Sequence, residues 1–167
     1  MALVQATLAS GLANMAPTST EATAIQNFAD AWDSYFQGAS VAGTPANGGA
    51  LAAAKSAMIG AMTGLSVTGA VAIQAGITAY WGGVATAFAA IWVIPPNVVV
   101  AAIPPPGLSG IAAALTPVFV ANSADPTKTI AQATAAIAAV LHTAGGLGGI
   151  ATVQPPPIAP PVPTPIL

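Results

Sequence analysis

Cysteine is absent from this 167-residue chain, and charge nearly so. Asp, Glu, Lys and Arg make up 4% of it, against about 25% in an average soluble domain. The lack of cysteine excludes disulfide scaffolds and thiolate metal sites and leaves the redox compartment undetermined. Lys55 and Lys128 are the only cations, so there is no basic patch to neutralise phosphates, and electrostatic binding of DNA or RNA is excluded. Basic residues are also missing ahead of the apolar positions of Met1-Ala2-Leu3-Val4, so no secretory signal is expected.

Apolar residues make up 55% of the chain, with 17 glycines and 16 prolines, and the mean hydropathy is +0.78. Disordered chains combine low hydrophobicity with high charge, the reverse of this pattern. The glycines follow no three-residue period, which excludes a collagen-like helix. With a formal net charge of -2, the chain has too few charged groups to coat a free monomer. Its exterior is therefore expected to lie against other protein or against lipid.

Apolar spacing predicts a mainly α protein, a small helical bundle or hairpin. Leu3, Leu8 and Leu12 suggest a short helix ending before Pro17. Thr18-Ser19-Thr20-Glu21 has capping-box spacing, and Ile25, Phe28, Ala29, Trp32, Tyr35 and Phe36 then form an apolar stripe up to Gly38. Gln26, Asn27, Asp30, Asp33, Ser34 and Gln37 fall on the opposite, wet face. A second helix is predicted over 50–65; Gly60 and Gly64 lie on one face of it and invite close approach of another helix. Short extended segments are predicted around 97–120, at Asn97–Ile103 and again at Val118-Phe119-Val120 after Pro117. Asp125 as N-cap and Pro126 at the first helical position open a last helix, whose stripe is Ile130, Ala133, Ile137, Val140 and Leu141. Residues 1–150 thus read as a helical assembly domain, and 151–167 as an extended Pro-rich arm without internal hydrogen bonds.

The residues that carry chemistry are few. Asp30, Asp33 and Glu21 read as solvation of a helix face rather than paired acid and base. His142 is the sole histidine; the spacing puts it on the side of Lys128 and Gln132, near a helix C-terminus, with no metal or triad partner. Gly145-Gly146-Leu147-Gly148-Gly149 lacks the Lys of a phosphate loop and has no preceding strand. No catalytic, cofactor-binding or metal-ligating residue is assigned, and no cofactor or enzymatic role is expected.

Residues 67–94 carry no charge and are long enough to span a bilayer. No Lys or Arg flanks them closely, however; Ala, Gly and Thr dominate; and Tyr80-Trp81 stands at mid-run, away from either interface. Small residues favour close helix contact instead. The candidates for such contacts are Gly60, Gly64, Trp32, Phe28 and Trp81. The proline-rich tail lacks the basic residue of adaptor-domain ligands. It is expected to lie as an arm across a neighbouring subunit, anchored by Ile166 and Leu167, so that truncation after Thr152 leaves the helices intact. An Ala-rich helical unit buries little area per ordered residue, so stability is expected to depend on subunit contacts beyond one compact core.

Segments such as Asn27-Phe28-Ala29-Asp30-Ala31-Trp32, Ile91-Trp92-Val93-Ile94-Pro95-Pro96 and Pro105-Pro106-Gly107-Leu108, with helices followed by a Pro-rich terminus, carry a whole-chain resemblance. The chain resembles the small Ala/Gly/Pro-rich, nearly charge-free structural proteins of tailed-phage particles and related contractile injection machines. The resemblance implies a non-enzymatic virion component at a baseplate, neck or capsid surface, and brings no functional residue with it. The expected partners are copies of the chain and other structural proteins of one particle, in a virion or another large extracellular or cytoplasmic assembly. The alternative is a small pore-forming or lysis-type membrane protein crossing the bilayer with residues 67–94.

Overall fold

The computed structural model describes residues 3–14, 20–65, 69–155 and 160–167. Among these the chain is mainly α-helical: α1 (Gln5–Ala13), α2 (Glu21–Phe36), α3 (Ala52–Met62), α4 (Gly69–Ile91), α5 (Ile111–Ala124) and α6 (Ile130–Leu141). Five short strands accompany them: β1 (Ser40–Val41), β2 (Thr44–Pro45), β3 (Val98–Ile103), β4 (Ile150–Gln154) and β5 (Val162–Pro165). β1 and β2 pair as a hairpin, while β3, β4 and β5 form an antiparallel sheet in that order.

The α2 helix starts where the Thr20 hydroxyl accepts the Thr23 N–H, satisfying one of the donors a helix N-terminus leaves open. Thr18, which opens the predicted capping box, lies outside the described residues. The stripe on α2 meets α4, and rings interlock there. Phe36 packs 5.2 Å from Tyr80 and 5.1 Å from Trp81, both edge-on, and Trp32 packs 5.2 Å from Tyr35. Such pairs contribute about 0.5–1.5 kcal/mol each beyond area burial.

α3 and α4 run antiparallel, with Ala54 opposite Gly83 and Met62 opposite Gly76. A Cβ on Gly83 would stand 2.5 Å from the Ala54 Cα, so the two backbones touch. Close approach through small residues therefore holds, but on different glycines from those expected. Among the described residues nothing lies within contact of a Cβ on Gly60, nor of one on Gly64, whose φ is +77°. The other contact candidates, Phe28, Trp32 and Trp81, are buried in the chain's own core.

Two predicted segments and one stripe residue come out differently. Val118-Phe119-Val120 is helical, because α5 continues through Pro117. The proline leaves the Ala113 carbonyl without its helical donor, and Ala113 is solvent-exposed, so water can satisfy it. α6 begins not at Asp125-Pro126 but at Thr129, where Thr129 and Gln132 cap each other's backbone; Asp125 instead accepts both the backbone N–H and the hydroxyl of Thr127. Ile130, expected on the α6 stripe, is exposed.

The tail folds back on its own chain. Val162–Pro165 pairs with β4, Ile166 is buried in the core, and Leu167 exchanges both backbone hydrogen bonds with Ser40. An extended proline-rich segment loses little entropy on docking, and the open edge of β4 lies within its reach. Residues 156–159 lie outside the described residues, and the expected boundary at residue 150 falls inside β4. One continuous core joins all six helices and the inner face of the three-stranded sheet. The exposed area of 7920 Å² is near the roughly 7,400 Å² of a compact monomer of this mass. The chain thus encloses a compact core of its own.

Two outcomes follow for stability. Gly83→Ala should lower stability by about 1–3 kcal/mol through overpacking, whereas Gly60→Ala should raise it by about 0.5–1 kcal/mol; denaturant melts showing equal effects would refute the α3–α4 contact. Truncation after Thr152 should destabilise the helices too, since burial of Ile166 alone is worth about 1.5–3 kcal/mol; an unchanged melt would refute its place in the core.

Candidate functional site: the outer face of the sheet

The chemistry-bearing side chains are largely consumed by the fold. Asp33, assigned to the wet face of α2, is instead buried at 8% exposure. Its carboxylate accepts the Tyr80 hydroxyl at 2.7 Å and the Gln37 amide at 3.0 Å, which offsets the cost of burying a charge. Tyr80 was legible only as part of the apolar run, so nothing in the linear pattern linked it to Asp33. Asp30 pairs with Lys55 and accepts from Gln26, both at a half-exposed position where an ion pair contributes little. Among the described residues no group of three or more His, Asp or Glu side chains is placed to hold a metal ion.

His142 lies against Tyr35, Nδ1 to hydroxyl 2.7 Å, rather than on an open polar face. Burial holds its pKa below the ordinary value. Burial also raises the pKa of Tyr35, and burial together with the Asp33 carboxylate raises that of Tyr80, because each penalises the charged phenolate.

The glycines of 145–149 have a structural use. The Gly145 carbonyl accepts the Trp81 indole N–H at 2.7 Å, a Cβ on Gly146 would collide with the Tyr35 hydroxyl, and a Cβ on Gly149 would stand 2.6 Å from the Trp81 ring. Aromatic rings here press directly on the main chain, which side chains would prevent.

The outer face of the three-stranded sheet is a different environment. Register sets Ile103, Ile150 and Pro165 in one row across the three strands, Ala101, Thr152 and Pro163 in the next, and Val98 beside Gln154 in a third. Val98, Ile103 and Ile150 are exposed, as are Pro163 and Pro165. No ionisable side chain lies in any of these strands. Beyond the N-terminal end of β3, a cleft of about 300 Å³ is lined by Trp92, Val93, Pro95, Pro96, Asn97 and Val98 among others. Trp92 is buried beside it, and its indole N–H has no hydrogen-bond partner among the described residues. The sheet face was not legible in the sequence, since β4 and β5 were read as an arm.

No protein-family model, curated protein or solved structure matches this chain. Among the described residues no helix is long and apolar enough to cross a membrane. The uncharged run 67–94 supplies the central helix α4, which buries Ile77, Tyr80, Trp81 and Val84 inside the chain.

The titrations are open to direct measurement. Tyr35 and Tyr80 are the only two tyrosines, so the folded protein should show no tyrosinate absorbance step as pH passes their ordinary value of 10.0. Their folded pKa values are raised, so stability is full below that pH and falls above it, where the unfolded chain ionises and the folded one does not. His142 has the opposite sign. Its folded pKa is lowered, so its contribution is present above 6.5 and is lost as pH falls below it. Nuclear magnetic resonance of the single imidazole showing a midpoint at or above 6.5 would contradict its placement.

Proposed function

We propose that the protein is a non-enzymatic structural subunit of a symmetric assembly, contributing a preformed apolar face rather than a reactive centre. The observation that carries this reading is the outer face of the three-stranded sheet. Valine, isoleucine and proline are exposed there in register, and every ionisable group lies elsewhere in the chain. Contiguous apolar surface of this kind marks interaction sites on folded proteins. The polar groups that catalysis would need support the same reading. Asp33, Tyr80, Tyr35 and His142 are spent on one another inside the fold.

The assembly that fits best is a virion or a related injection particle, with this chain at a baseplate, neck or capsid surface. The nearly charge-free, Ala/Gly/Pro-rich composition favours a protein whose exterior is covered by neighbours, and homo-oligomeric or closely similar copies supply such neighbours.

In its source, the tagged chain should sediment with a particle much larger than itself and stay there through mild detergent. Recovery as a freely dissolved monomer would overturn the reading, and recovery in a membrane fraction would favour the bilayer alternative instead.

A further inference from the structure

The three-stranded sheet has two edges, and they are not equivalent. Ile166 donates to the Gly149 carbonyl, so alternation points the backbone of Val162 and Thr164 toward β4 and that of Pro163 and Pro165 outward. The outer edge of β5 therefore has no N–H to offer along Val162–Pro165, and Leu167 just beyond it is already paired with Ser40. Proline on an edge is a standard guard against strand addition.

The β3 edge has no such guard along its length. The same alternation turns Gly149, Ala151 and Val153 toward β5, and hence Ile150, Thr152 and Gln154 toward β3. Their partners Ile103, Ala101 and Val98 face β4, which leaves the backbone of Ala102 and of Val99, beside the bulge, pointing away from the sheet. Among the described residues no backbone hydrogen bond from outside the sheet closes these groups. The bulge also brings Val98 and Ile103, five residues apart, onto the same outer face. They are 56% and 53% exposed.

We propose that this edge pairs antiparallel with β3 of a second copy of the chain. This rests on the reading of the protein as an assembly subunit and names the partner of that same face. An uncharged strand paired antiparallel about a two-fold axis is complementary to itself, with no charge to match or repel. The register also accounts for the cleft. Antiparallel pairing centred on β3 sets Ile103 of the second copy beside Val98 and carries the following Pro104 over Asn97 and Pro96, into the apolar space beside Trp92. Ile103 and Pro104 are both exposed in the single chain. Open edge, exposed side chains and cleft thus belong to one surface.

Sedimentation of the full chain across concentration should show a monomer–dimer equilibrium. Ile103→Lys should raise the dissociation constant about tenfold or more, with the melting curve unchanged because the side chain is exposed. The double variant Val98→Glu with Ile103→Lys should recover association, since each new carboxylate then faces a lysine of the other copy. Association of Ile103→Lys as tight as that of the wild type, or no recovery in the double variant, overturns the inference and leaves the assembly reading standing. A wild-type chain that is monomeric alone yet enters a particle overturns it in favour of a strand from another protein.

Discussion

Rings from α2 and α4 meet at Phe36, which touches Tyr80, Trp81 and Trp92, and much of the remaining structure is arranged around that contact. Its polar seam is Asp33, whose carboxylate receives Tyr80 from the facing helix. A carboxylate buried without that donor would cost several kcal/mol, so the hydrogen bond fixes the rotation of α2 against α4 as firmly as the ring packing does. On the far side, Trp81 reaches the Gly145 carbonyl, which ties the end of α6 and the start of β4 to the same cluster.

This arrangement explains how an Ala-rich chain builds a core, from aromatic rings together with Leu, Ile, Val and Met. The three tryptophans are fully buried, and aromatic side chains bury far more area each than alanine does. Alanine and glycine serve a different end: Gly83 against Ala54, and the glycines of 145–149 against the rings, let backbone approach backbone or ring directly. Large residues fill the centre, and small ones bring the elements close enough to enclose it.

Much of the helical layout was legible from spacing, because α2 alternates wet and dry faces and prolines bracket β3. The cap of α6 was also in plain view, since Thr129 and Gln132 have the spacing of a capping box, but Asp125-Pro126 offered an equally good signal four residues earlier. The side chain of Asp125 satisfies a turn rather than a helix, and nothing local distinguishes the two. Gly60 and Gly64 illustrate a second limit. Glycines on one helix face permit contact, yet which pair meets a neighbour depends on how the helix is rotated in the bundle; the contact fell on Gly76 and Gly83 of α4. The candidate face was the least legible part, because it joins β3 to strands from the proline-rich tail.

By itself the sequence determined the helical class, the scarcity of charge and the extended character of Val98–Ile103 and of the C-terminal prolines, since these follow from local sterics and composition. Tertiary structure alone decided that Asp33 goes inside, that Pro117 sits within a helix, and that the tail closes on its own chain. Each of these depends on a partner distant in sequence: Tyr80 for Asp33, the packing of α5 on α4 for Pro117, and β4 with Ser40 for the tail. The free energy of burial and hydrogen bonding at those meetings outweighs the local preference of any single segment.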